Sequence, residues 1–173
     1  AGVIAAWARR YVCTGDAEAA QGKPNMAPTA EPGTVVVEET GQGKFQNAVS
    51  VGGRHVLLAD EPPDVGGTDT GPGPYDFLLT ALGACTAMTI RMYARRKGWP
   101  LDHVSVEVNH DKVHAQDAGT GTDEKADRFT RAVRLEGDLD DEQRARLMEI
   151  ADRCPVHRTL ERRSEIVTQA AAG

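Results

Sequence analysis

Two of the three cysteines stand in settings that suit different chemistry. Cys85 lies in an uncharged run from Phe77 to Ile90, which reads as the inside of a buried helix. Cys154 opens the segment Cys154-Pro155-Val156-His157. Pro155 suits the first position of a short helix through Leu160, which makes Cys154 its N-cap. A thiol attacks only as its thiolate, so a reactive cysteine needs a depressed pKa and access to its substrate. Cys85 sits about ten residues inside its helix, beyond the reach of the N-terminal dipole, and needs an external cation. Cys154 has the better local reasons to be acidic. If the fold joins the two, the chain holds a peroxidatic thiol and a resolving thiol. If it does not, they are two packed cysteines, since a lone buried cysteine is most often an inert small hydrophobe.

The histidines offer little beside these thiols. His110 and His114 are four apart on a strand, roughly 13 Å at strand rise and too far to share one ion. His55 and His103 are isolated. His157, three residues after Cys154, can lie near it on a helical turn and tune it. No Cys/His spacing points to a metal.

The elements that must position the cysteines are legible. Val35-Val36-Val37 is β-branched and reads as a strand. Gly41-Gln42-Gly43 and Gly52-Gly53 are turns around a second strand ending at Val51, and Arg54 to Ala59 returns as a third. This is an antiparallel meander. Glu61 to Gly73, rich in Pro and Gly, is a long loop. Gly73 then fits an N-cap, Pro74 the first helical position and Asp76 the first turn. The helix runs to about Lys97, where Gly98 and Pro100 stop it. Its uncharged run calls for burial on every side, and a second copy of the chain is expected to supply the missing cover. Arg95, Arg96 and Lys97 read as a solvated end; Arg91, nearest the buried run, is the cation that could act.

Val104 to His110 and Phe129 to Leu135 alternate as strands flanking a polar loop from Ala118 to Lys125. A helix follows from about Asp141 to Arg153, with Ala145, Met148 and Ile150 inward and Leu147 and Ala151 beside them. Ile166-Val167-Thr168 reads as a closing strand. Residues 1–33 read as a flexible extension, either an addition upstream of Met26 or a natural arm that packs on a partner subunit. The folded domain then spans residues 34–173.

With 173 residues there is one domain with a real core. Twenty-six acidic against 20 basic residues, a net charge of −6, argue against nucleic acid as a partner. Three cysteines do not make a disulfide scaffold, so a reducing, cytoplasmic compartment with free thiols is expected. No stretch is expected to reach the roughly 20 apolar residues that span a bilayer, so no membrane partner is expected either.

Gly66-Gly-Thr-Asp-Thr-Gly-Pro-Gly-Pro-Tyr-Asp76, Leu78-Leu-Thr-Ala-Leu-Gly-Ala-Cys-Thr86 and Cys154-Pro-Val-His157 together resemble the OsmC/Ohr family. The resemblance covers about Val35 to Thr168. Ala59-Asp-Glu-Pro62 and Arg91-Met-Tyr-Ala94 resemble its OsmC-like branch. It implies an α+β fold with antiparallel sheets around a buried central helix, in an intertwined homodimer with two active sites at the interface. It further implies that Cys85 reduces an organic hydroperoxide and becomes a sulfenic acid, and that Cys154 condenses with it to a disulfide. A small dithiol or a lipoylated protein restores the thiols, in an antioxidant, stress-response role without cofactor or metal.

Two departures from the family pattern concern activation. Tyr75 stands where the peroxidases carry a glutamate, with Asp76 following. Their meander arginine has no certain counterpart: Arg54 in the third strand and Lys44 in the first turn are the basic residues there, and neither sits in a motif that aligns. The expectation is that Asp76 orients Arg54 or Arg91 towards Cys85. Activity is then modest and favours bulky organic peroxides, because Phe77, Leu78, Leu82 and Met88 surround Cys85. The alternative is a non-catalytic OsmC-like module that binds an apolar small molecule above Cys85. A cation within about 4 Å of the sulfur separates the two, since an opposite charge at that range lowers a thiol pKa.

Overall fold

The computed structural model describes residues 28–114 and 125–171. The meander forms as the glycine pairs dictate. β1 (Val35–Glu39), β2 (Asn47–Val51) and β3 (His55–Ala59) make an antiparallel sheet in that order, with Val37 opposite Val49 and Val49 opposite Leu57. Gly52 and Gly53 both adopt positive φ, the geometry that a tight hairpin turn needs. Arg54 belongs to this turn rather than to β3, its N–H donating to Val51 O at 3.1 Å. The described backbone is already packed at Pro28 and Ala30, both buried.

The loop from β3 to the central helix is organised by one carboxylate. Asp60 accepts bonds from Glu61 N–H (2.8 Å), Thr68 N–H and hydroxyl (3.0 and 2.6 Å) and Thr70 N–H and hydroxyl (3.2 and 2.9 Å). The Thr68 hydroxyl, with the other donors, holds its pKa well below the usual carboxylate range against the opposing effect of burial. The loop folds back so closely that a Cβ on Gly71 would lie 2.3 Å from Leu58 O.

Helix α1 (Pro74–Lys97) starts and stops where its punctuation predicts. Asp76 accepts the Gly73 N–H at 2.9 Å, and Gly98 ends the helix in the left-handed conformation with φ 66°. One chain covers it in part. Only the stripe Leu82-Thr86-Ile90-Ala94 is buried, while Met88 and Met92 are 70% and 68% exposed. An i, i+4 stripe is one face of a helix, so one chain covers that face and leaves the others open. The expectation that no stretch could span a bilayer is corrected. By length and composition α1 suffices, because its only charges between Phe77 and Lys97 come in the last two turns. In this fold it is the helix on which the core is built.

β4 (Leu101–His114) and β5 (Lys125–Gly137) form a long antiparallel ribbon with Val106 opposite Val133. It extends beyond both sequence-predicted strands. The polar loop expected from Ala118 falls largely outside the described residues. α2 (Asp141–Ala151) is capped by Asp140, whose carboxylate accepts Gln143 N–H at 2.7 Å. Its buried face is Leu147, Ile150 and Ala151; Met148 and Ala145 are exposed, a correction of helical phase. α3 (Pro155–Glu161) follows at once. Ile166–Thr168 is not a strand: no strand among the described residues pairs with it, and Ile166 is 88% exposed. β-branched composition alone does not make a strand without a neighbour.

The core, Ile90, Ala94, Leu101, Leu139, Leu147 and Ala151, lies where α1, the ribbon and α2 meet. The meander instead leaves Val35, Val37, Val56, Leu57 and Leu58 exposed. The fold is thus α+β, with antiparallel sheets and a central helix.

Asp60→Asn should lower the thermal midpoint by several degrees at neutral pH. A group whose folded pKa is depressed stabilises above its unfolded value, about 3.9, and loses that contribution as pH falls below it. Thermal scans should therefore show the gap between the variant and the parent closing below about pH 4. A gap that widens in acid would refute the role given to Asp60.

Candidate active site

Thr86 places the first half of the site. It sits at the middle of the buried stripe of α1, and its hydroxyl donates to Leu82 O at 2.7 Å or to the Cys154 sulfur at 3.7 Å. Cys85, one residue earlier and about 100° round the helix, is half-buried.

Cys154 places the second half. It caps α3 in extended conformation, and its sulfur accepts the His157 N–H at 3.3 Å. Pro155, lacking an N–H, competes for no acceptor there. The sulfur is fully buried. The expected settings are thus reversed: Cys154 is the inaccessible thiol and Cys85 the more open one, because the ribbon covers the face of Thr86 and leaves Cys85 at its margin. Both cysteines are free thiols.

The cation of the site is Arg131, which none of the sequence readings singled out. It stands on β5 in phase with Phe129, Val133 and Leu135, and its side chain is 12% exposed. Nη1 donates to the Thr86 hydroxyl at 2.9 Å and to Ala151 O at 3.0 Å. Nη2 donates to Asp152 Oδ1 and to His157 Nδ1, each at 2.8 Å. Because Nδ1 accepts, the imidazole proton belongs on Nε2, which lies 3.1 Å from Glu161 Oε2. The signal in the sequence was there: a charge at an inward position of an otherwise apolar alternation.

These contacts decide the state of Cys154. Burial pushes its pKa up, and this is the largest single effect. The His157 N–H, the Thr86 hydroxyl, the Cys85 thiol and the charge of Arg131 together outweigh it, so the pKa is lowered. Cys85 is thus a neighbour of Cys154 that helps to lower its pKa.

The candidate activating groups are occupied elsewhere. Asp76 is committed to the start of α1. Arg91 donates to Leu101 O and, at 3.0 Å, to Asp102 O, tying α1 to the start of β4. Tyr75 stacks on His110 with ring centroids 4.5 Å apart, and His110 is 2.7 Å from Asp127. Arg54 remains in the meander turn. None of the four hydrogen-bonds to either sulfur among the described residues. His103 and His110 join no metal-binding cluster among the described residues. Cys13 lies outside them.

A cleft of about 410 Å³ opens beside this network. Leu82, Phe129 and Leu160 supply its apolar wall; Arg131, His157 and Glu161 supply its polar wall.

The sequence profile of the family described as OsmC-like protein matches residues 67–169, which include both cysteines and Arg131. No curated protein sequence matches the chain. Solved structures resemble it throughout the fold. A candidate osmotic stress induced and detoxification response protein from Psychrobacter arcticus is 22% identical, with a TM-score of 0.59 over 73% of this chain and 86% of that one. An OsmC like protein from Mycoplasma pneumoniae is 18% identical, with a TM-score of 0.56 over 74% and 84%. An organic hydroperoxide resistance protein from Legionella pneumophila is 19% identical, with a TM-score of 0.54 over 73% and 87%. At such identities the likeness is one of fold.

Proposed function

This chain belongs to the OsmC-like protein family, and from its paired thiols we propose that it is a thiol-dependent reductase of organic hydroperoxides. Family membership supports a redox or peroxide-stress role. Two free thiols, one next to Thr86 in the chain and the other 3.7 Å from the Thr86 hydroxyl that Arg131 also bonds, carry the finer reading.

Cys85 is the peroxidatic residue, being the more accessible sulfur. Its sulfur attacks the terminal peroxide oxygen; an S–O bond forms, the O–O bond breaks, and the thiol proton ends on the departing alkoxide. The products are an alcohol and Cys85 sulfenic acid. Cys154 then displaces hydroxide to form the disulfide, and a small dithiol or lipoylated protein reduces it, becoming a disulfide itself. The reaction needs neither metal nor cofactor, and free thiols at rest suit the cytoplasm.

The cleft favours this over the binding of an apolar small molecule. Half its wall carries polar or charged groups, Asp127, Arg131, His157 and Glu161 among them. Leu82 and Phe129 still offer a surface to a bulky organic group, so organic peroxides should be preferred over hydrogen peroxide.

The protein works as a homodimer. Met88 and Met92 on α1 are exposed, as are Val35, Val37 and Leu57 on the meander, and a second copy can bury such apolar side chains. Sedimentation velocity at micromolar concentration should give a dimer; a well-folded monomer would contradict this.

Turnover of cumene hydroperoxide with dithiothreitol should be measurable but modest. Cys85→Ser should abolish it, whereas Cys154→Ser should retain single-turnover oxidation and lose recycling through the disulfide. Unchanged turnover in Cys85→Ser would overturn the enzymatic reading.

A further inference from the structure

Arg131 spreads four recorded hydrogen bonds over three other segments of the fold. They reach Thr86 on α1, Ala151 O at the end of α2, Asp152 beyond it and His157 on α3. Most of this set frames Cys154. Asp152 precedes it by two residues, His157 follows by three and donates its N–H to the sulfur, and Thr86 Oγ1 lies 3.7 Å from it. No recorded bond runs from Arg131 to Cys85. We infer that Arg131 is a positioning residue for disulfide closure, holding the Cys154 sulfur against Cys85 through Thr86, Asp152 and His157. The inference rests on the hydroperoxide-reductase reading and assigns its activating charge to the second half-reaction.

In that step the Cys154 thiolate attacks the sulfur of Cys85 sulfenic acid. The S–S bond forms, the S–O bond breaks, and hydroxide leaves to take a proton from solvent. The rate follows the thiolate fraction of the attacking sulfur. The groups that face Cys154 are Cys85 and Thr86 from α1, Arg131 from β5, Asp152 from the α2–α3 junction and His157 from α3, with Glu161 behind His157. Asp152 partly offsets the charge of Arg131, yet the pKa of Cys154 stays below its ordinary value. A guanidinium suits this task because its planar fork reaches several acceptors at once without losing its charge.

The test uses the full chain with Cys13→Ser, so that only two thiols remain. One equivalent of cumene hydroperoxide is added, Cys85 sulfenic acid is trapped with dimedone, and closure is followed by intact mass across a range of pH. Arg131→Met should slow closure at neutral pH several-fold more than it slows Cys85 oxidation, because the thiolate fraction of Cys154 falls and its aim at Cys85 loosens. Its closure profile should move to higher pH, and trapped sulfenic acid should accumulate. Thr86→Val and Arg131→Lys should shift the same profile less, and they decide the matter if Arg131→Met does not fold. Closure that keeps its rate and pH profile would overturn the inference, as would an equal slowing of both steps. If peroxide leaves Cys85 of the parent untouched, the reductase reading fails by itself. The ultraviolet thiolate titration of Cys13→Ser/Cys85→Ser then judges Arg131: its midpoint should rise when Arg131→Lys or Thr86→Val is added, and an unmoved midpoint refutes the role.

Discussion

A guanidinium that is nearly sealed from water must find acceptors for its donors, and Arg131 places four of its five N–H groups by drawing β5, α1 and the α2–α3 junction to one point. β5 supplies the arginine, α1 supplies Thr86, and the α2–α3 junction supplies Ala151 O, Asp152 and His157. The thiol pair inherits its geometry from this junction. Thr86 and Cys85 are adjacent on α1, and Cys154 lies between Asp152 and His157, so fixing the partners of the arginine also fixes the two sulfurs. Removing the charge would leave buried acceptors without donors and a buried thiol without its compensating cation.

The rest of the fold keeps α1 in place. Asp60 gathers the loop that delivers Gly73 and Pro74, Asp76 caps the first turn, and Arg91 ties the helix to the first carbonyls of β4. Gly83 lets the helix approach the ribbon, since a Cβ there would lie 3.2 Å from Val108 Cγ2. That close approach covers the Thr86 face and leaves Cys85 at the edge of the covered zone. Asp76 thus contributes by capping and Tyr75 by stacking on His110, whereas the charge comes from β5.

Local chemistry was the legible part of the sequence. Gly73-Pro74 and Gly98 bound α1 and Gly52-Gly53 turns the meander, as such residues do anywhere. Cys154 as N-cap of α3 follows from Pro155 alone. What stayed hidden depends on which faces meet. Cys85 and Thr86 sit in the same uncharged run, and only the docking of the ribbon decides which is buried. The inward phase of α2 likewise falls on Leu147 and Ile150 because α1 meets it there, leaving Met148 outside. Arg131 was concealed by the same logic. Its partners come from three other segments, and only its place in the alternation Phe129-Arg131-Val133 hinted at an inward charge.

The most direct test is peptide mapping of the full chain after one equivalent of cumene hydroperoxide. The account predicts a disulfide joining Cys85 to Cys154 within one subunit, with Cys13 left as a free thiol. A Cys85 that remains reduced, or that pairs with Cys13, would contradict it.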